Sequence, residues 1–203
     1  MSGLTHITGG LLLGSAAVYY ANATGNSPDV ATTGAFLTGC MSGAIICDAD
    51  EPNSLIGRKL WPISFLFRIL HWVFRILAWF LPKKSKLRRN FSDVSWAFAH
   101  RGLMHWPLTI LLLSAGLFLL ATVTSGYIDS VETVKLINSI LLGISIGMIS
   151  HLLYDFPSGT LPLLAPFSQK RFGIRLFESN GFADKYIIRT LSLAGSVYML
   201  LFI

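Results

Sequence analysis

Five stretches of the chain are apolar for about the thickness of a bilayer, and most polar residues fall between them. The runs are 4–21, 31–47, 103–124, 134–156 and 186–203. Each approaches the roughly 20 residues a helix needs to cross about 30 Å of hydrocarbon. The first two are rich in Gly, Ala, Ser and Thr, which lets helix backbones approach closely in lipid. A sixth apolar stretch, LWPISFLFRILHWVFRILAWFLP at 60–82, differs from the rest. Arg68, His71 and Arg75 recur at i, i+3 and i+7, a single polar stripe on a helix of Leu, Ile, Phe and Trp. Two arginines at the bilayer centre would cost about 2.5–3.5 kcal/mol each, whereas Trp72 and Trp79 suit an interface. Residues 60–82 therefore read as an amphipathic helix lying in the membrane plane. It runs into the basic cluster KKSKLRR at 83–89, suited to anionic lipid headgroups. The expected fold is all-α: a polytopic membrane helical bundle of about five transmembrane helices and one in-plane helix, with 1–203 as a single integral membrane domain.

Composition agrees. The 203 residues are 53% hydrophobic and 13% charged, with a mean hydropathy of +0.60; a soluble domain carries about 25% charged residues. The net charge of +6 could suit a nucleic acid, but its placement does not. Ten of the 16 basic residues lie between Arg58 and Arg101 and five between Lys170 and Arg189, with Lys135 alone elsewhere. With five spans, the positive-inside rule puts the N-terminus and both basic loops in the cytoplasm and the C-terminus outside. The expected partners are membrane lipids, with no nucleic acid. The apolar run begins almost at Met1 with no basic segment before it, so no cleavable signal peptide is expected. Cys40 and Cys47, seven residues apart on one helix, are too far apart for a disulfide and read as small buried apolar side chains. ANAT at 21–24 matches the pattern N-x-[ST] and alone carries little.

That topology gathers the unusual residues. His6 falls at the inner end of the first span, Asp48 and Asp50 (CDADEP) at the inner end of the second, His100 and His105 (HRGLMHWP) at the inner start of the third, and His151 and Asp155 at the inner end of the fourth. Each has an ordinary reading: a hydrogen-bonded histidine, helix-capping aspartates before Pro52, Arg101 as a topology anchor. Convergence of four segments on one membrane edge favours a shared metal site. His151 and Asp155 share a helix face at i, i+4. Asp48 and Asp50 would point the same way on an extended chain. Gly102 and Pro107 make HRGLMH a loop able to turn both rings inward. His6, Asp48, Asp50, His100, His105, His151 and Asp155 are the candidate metal ligands. They exceed the four a zinc ion takes, which suits two divalent ions, with zinc the first choice.

These motifs resemble a known family, the LexA-regulated, inner-membrane-associated metal-dependent hydrolases (YdjM-like). Its pattern is an early TH…G, an Asp-x-Asp followed by Pro and Ser, HRGxTHS, and H-x-x-x-D followed by Gly and a Pro-rich stretch. Here these read THITGG (5–10), DADEPNS (48–54), HRGLMHWP (100–107) and HLLYDFPSGTLPLLAPFSQKRFG (151–173). Met104 and Trp106 stand where Thr and Ser are usual, so a hydroxyl role there does not carry over. The resemblance implies a hydrolase of the bacterial inner membrane. A fainter similarity, the His-x-x-x-Asp element with scattered His and Asp, links the chain to zinc-dependent phospholipase C and P1-type nucleases and points toward phosphoesters. The expected function is therefore hydrolysis of a phosphoester of a lipid or lipid-linked substrate at the cytoplasmic headgroup level, using metal-activated water. Arg101, able to hold a phosphate bidentately, and Asp50 are the candidate catalytic side chains. The other readings are a lipid ester or amide hydrolase, a metal or proton transporter, and a scaffold whose motifs are structural. Transport sites lie near the bilayer midplane, whereas these residues lie at one edge.

Overall fold

The structure, a computed structural model, describes residues 2–202. Among the described residues it consists of helices joined by turns and loops, with one isolated β-bridge, between Leu161 and Phe172. The helices are α1 (Gly3–Ala23), α2 (Val30–Ile46), α3 (Leu55–Lys59), α4 (Trp61–Phe80), α5 (Lys86–Ala97), α6 (Pro107–Ser125), α7 (Val131–Ser158) and α8 (Arg189–Leu201). Two 3-10 turns, Cys47–Asp50 and Leu103–His105, and a π-helical turn, Ala183–Ile188, interrupt them. Among the described residues, four segments are long and apolar enough to cross a membrane: Val30–Asp50, Trp61–Phe80, Pro107–Ser125 and Val131–Ser158. α1, diluted by Gly, Ser, Thr and Tyr, and α8, lengthened by its π-helical turn, join the same bundle.

Small residues decide how the bundle closes. α2 and α7 form its central pair. A Cβ at Gly43 would collide with the Ile144 carbonyl, and one at Gly147 with the Cys40 carbonyl, so the two backbones touch. α1 packs on α2, α7 and α8, and α6 covers the far side of α7. Val18, Phe36 and Cys40 form one buried apolar cluster; Cys47, Ile110 and Met148 form another. Both cysteines are free and buried, as their spacing requires. The outer flanks expose Leu111, Leu112, Phe118 and Leu119 of α6, the surface that lipid covers.

α4 packs along α5 and meets the bundle beside the Cys47–Asp50 turn. Ser95 of α5 fastens the hairpin: its carbonyl lies 2.8 Å from His71 Nδ1, and its hydroxyl donates to the His71 carbonyl at 3.1 Å. Arg75 lies over the Trp72 ring at 5.3 Å. The polar stripe of α4 is thus partly spent on the hairpin, while Trp61, Phe65, Trp79 and Phe80 remain exposed.

Several local expectations need correction. Asp48 and Asp50 lie on a tight 3-10 turn, not an extended strand, because the chain must reverse within a few residues to start α3. α6 begins at Pro107 and not at 103; Gly102 and Pro107 bracket a separate turn carrying His105. The basic cluster 83–89 opens a helix, α5, capped by Ser85 accepting from the Leu87 N–H. The last helical segment starts at Ala183, and Ile203 falls outside the described residues.

Candidate metal centre

All seven candidate ligands meet at one end of the bundle. The C-terminal end of α7 brings His151 and Asp155, and the turn ending α2 brings Asp48. The turn before α6 brings His105, and the first turns of α1 bring His6. His6, His105, His151 and Asp155 are fully buried.

Four donor atoms define the centre. His105 Nε2 and His151 Nε2 lie 3.1 Å apart. Asp48 Oδ1 is 3.7 Å from each. Asp155 Oδ2 is 3.7 Å from the first and 3.8 Å from the second. Ligands about 2.0–2.2 Å from a tetrahedral zinc ion stand roughly 3.3–3.6 Å from one another. Asp48, His105 and His151 offer three ligand atoms within 4.8 Å of one another, and His6, His151 and Asp155 form a second such group that shares His151; Asp155 Oδ2 adds an oxygen near both histidine nitrogens of the first.

The surroundings fix how the rings present themselves. His151 Nδ1 donates to the Ala44 carbonyl at 2.7 Å, which leaves Nε2 as a lone pair facing the centre. Behind His105, the Asp50 Oδ2 atom stands 3.7 Å from Nδ1, the carboxylate–imidazole relation that orients metal-binding histidines. His6 stacks on His151 with ring centroids 3.9 Å apart, and its Nε2 is 3.4 Å from Asp155 Oδ1. Asp155 therefore faces His6 with one oxygen and the four-atom centre with the other.

Hydrogen bonding leaves the cluster unsatisfied. Both ring nitrogens of His6, both carboxylate oxygens of Asp50 and His105 Nδ1 are buried without a hydrogen-bond partner. Of these, His6 Nε2, His105 Nδ1 and the Asp50 oxygens keep ion-pair contacts of 3.4–3.7 Å, too long for good hydrogen bonds, and a buried polar group left unsatisfied costs about 1–3 kcal/mol. A bound cation, whose ligation favours the folded state, offsets that cost; an ordinary polar core does not contain it. The residues present fit a divalent metal with N and O ligands.

Arg101 and His100 face outward from this floor. Arg101 sits in the left-handed region at φ 57°, which turns its side chain back toward α7. Its Nη2 lies 3.1 Å from Asp155 Oδ2, and Gly159 leaves the space its guanidinium fills, since a Cβ there would collide with Nη1. His100, with a side chain 44% exposed, has Nδ1 3.6 Å from Asp50 Oδ1 and 3.9 Å from Glu51 Oε2. Both line a cavity of about 650 Å3 that opens from the centre, together with Asp48, Asp155, Arg58 and Arg189. Asp50 stands behind the two histidines and is not among the lining residues. Glu51 and Gly159 fall within the quoted motifs but carried no assigned role, and the cations of α3 and α8 lie outside them and read as surface charges.

The family model for YdjM inner membrane proteins matches residues 1–201. A protein of Bacillus subtilis (strain 168), described as uncharacterized protein YvsG, is 30% identical over 201 residues, 98% of this chain and 94% of its own length. No solved structure matches.

Proposed function

The chain belongs to the YdjM inner membrane protein family, and from that premise we propose that it is a membrane-embedded, metal-dependent hydrolase acting on a phosphoester of a lipid or lipid-linked substrate. The observation that carries this reading is the centre of His105, His151, Asp48 and Asp155, whose histidine nitrogens lie 3.1 Å apart and each 3.7–3.8 Å from both carboxylate oxygens, at the floor of an open cavity. A divalent cation, zinc first, would supply positive charge for phosphate oxygens and lower the pKa of water at that floor. A second would draw on His6 and the remaining oxygen of Asp155.

The chain's own side chains have separable tasks. Arg101 offers its planar fork to a phosphate at the cavity floor while bracing Asp155. His100 is the site histidine that reaches the cavity, and with Asp50 and Glu51 behind its Nδ1 it is placed to carry a proton between solvent and the leaving oxygen. Asp50 positions His100 and His105 and does not touch substrate. Leu4 and Leu55 give the cavity an apolar flank, suiting a substrate that keeps its chain in the membrane. The distribution of basic residues favours the cytoplasmic face, and the exposed aromatic residues of α4 favour an in-plane position for the α4–α5 hairpin.

The test is elemental analysis of purified protein followed by a phosphate-release screen on lipid phosphoesters, with and without a chelator. About one or more equivalents of transition metal and chelator-sensitive phosphate release are expected. Release unchanged by chelation overturns the reading; metal-dependent release of fatty acid alone keeps the centre and reassigns the bond to a carboxylic ester.

A further inference from the structure

The cavity holds more positive charge than one phosphate uses. Three carboxylates, Asp48, Glu51 and Asp155, line it against four cations, Arg58, Arg101, Lys185 and Arg189. A divalent ion at the floor would raise the lining to a formal +3, with histidines neutral; a phosphomonoester dianion offsets only part of that.

The cations fall into two groups. Arg101 is at the floor, paired with Asp155. Arg58 comes from the last turn of α3, Lys185 from the π-helical turn, and Arg189 from the start of α8. α3 is far in sequence from the contiguous π-helical turn and α8, yet the cations of all three line one cavity. Among the described residues, none of the three forms an ion pair of the kind that joins Arg101 to Asp155 or Lys135 to Asp29. The nearby acid, Asp184, is fully buried; its Oδ2 accepts from the Ser2 N–H at 2.8 Å and the Asn180 N–H at 2.7 Å, while its Oδ1 makes no hydrogen bond and no ion pair among the described residues. Arg189 Nη2 donates to Ser2 Oγ at 2.9 Å, and its Nε is buried without a partner. A surface built only for topology would leave such cations spread through solvent. Here they edge a cavity whose floor carries the candidate centre, with Asn53 and Asn180 between them as further hydrogen-bonding groups.

We infer that the substrate carries two phosphates: one at the His/Asp floor beside Arg101, and a second held at the mouth by Arg58, Lys185 and Arg189. The inference rests on the hydrolase reading for the role of the first phosphate; the second site rests on the cations alone. Two kinds of lipid supply this chemistry: a lipid diphosphate, with the phosphates joined as an anhydride, and a phospholipid whose headgroup bears a terminal phosphate.

Two measurements on purified full-length protein test it. In the first, zinc-loaded protein in mixed micelles receives phosphatidic acid, diacylglycerol diphosphate or phosphatidylglycerol phosphate. The better two-phosphate probe is expected to exceed phosphatidic acid in kcat/KM by about tenfold or more, as charge-assisted contacts to a second phosphate require. Which of the two leads identifies the anhydride or the phosphorylated headgroup. R58Q combined with K185Q, whose native side chains donate no hydrogen bond among the described residues, should bring the ratio close to one. In the second, calorimetry at low salt compares inorganic phosphate with methylenediphosphonate on chelator-treated protein. The diphosphonate should bind more tightly, and R58Q/K185Q should erase the difference. If no lipid is turned over but the diphosphonate preference and its loss are seen, the hydrolase reading falls and the second phosphate site stands. If phosphatidic acid is hydrolysed as well as either two-phosphate probe and the variant changes neither ratio nor binding, the inference falls and the hydrolase stands.

Discussion

Both ends of the bundle carry charge, and they handle it in opposite ways. At one end Asp29 accepts the Thr32 N–H at 2.8 Å to cap α2 and pairs with Lys135, both side chains 52% exposed. That is a solvated pair, of the kind that contributes little to stability. At the other end His6, His105, His151 and Asp155 are fully buried, and several of their neighbours' polar atoms have no hydrogen-bond partner. The first end is what helix termini ordinarily look like; the second is a buried, incompletely hydrogen-bonded cluster whose cost a bound cation would offset. Burial and incomplete hydrogen bonding, more than the presence of charge, separate a site from a surface.

The comparison breaks most sharply if the ends are misassigned to the membrane faces. Cysteine at position 85 (S85C) should resist an impermeant thiol reagent in intact cells, and cysteine at position 128 (I128C) should react; Cys40 and Cys47 are buried and give little background. The reverse pattern would put the centre on the outer face. Next in size is loss of the centre. H151A or D48A should drop bound metal below one equivalent and lower turnover by at least about 100-fold, since each removes one of four ligands. D50N, which touches only the backs of His100 and His105, should weaken metal binding by about 10–100-fold, as loss of an orienting partner does. Full metal occupancy in H151A and D48A would make the cluster structural.

Arg101 sharpens the comparison on a smaller scale. R101K keeps the charge and loses the fork, so turnover should fall about tenfold or more, as a lost charge-assisted hydrogen bond costs, with metal content retained. G159A should move the same way, because its Cβ takes the place of the guanidinium. An R101K protein with unchanged turnover would reduce Arg101 to a brace for Asp155.

Much of the site was legible in sequence because hydropathy fixes where helices end, and helix ends fix depth. The i, i+4 pair His151 and Asp155 shares a face of α7 as the helical period demands, and HRGLMH does fold as a turn that buries His105. What was not legible is division of labour. Asp48 faces the centre while Asp50, two residues on, stands behind His105, because a 3-10 turn separates side chains that an extended chain would align. His100 stays half out in the cavity because it precedes the left-handed Arg101, a conformation no composition signal announces. Arg58, Lys185 and Arg189 looked like topology charges; Lys83 and Arg88 line a cavity too, but only that of Arg58, Lys185 and Arg189 reaches Asp48, His100 and Asp155.

The smallest expected effect is at the quiet end, and it serves as the control for all the others. The hydrogen bond from Lys135, followed by those from the Thr32 N–H and hydroxyl, holds the Asp29 carboxyl well below its ordinary value of 3.8. A carboxylate with a depressed pKa contributes stability that is fully present above its unfolded pKa and is lost as pH falls through the folded value. D29N keeps the capping oxygen that accepts the Thr32 N–H and removes the charge together with the oxygen that accepts from Lys135 and the Thr32 hydroxyl. The Tm of D29N should therefore lie slightly below that of the parent at pH 7, and the gap should narrow as pH falls below about 4. High salt should narrow it too, because an exposed pair is screened. Metal content should not change at any pH where the parent keeps its own. If D29N lost metal as H151A does, the two ends would be coupled through α2 and α7, and the cluster could no longer be treated as a site independent of the bundle's far end.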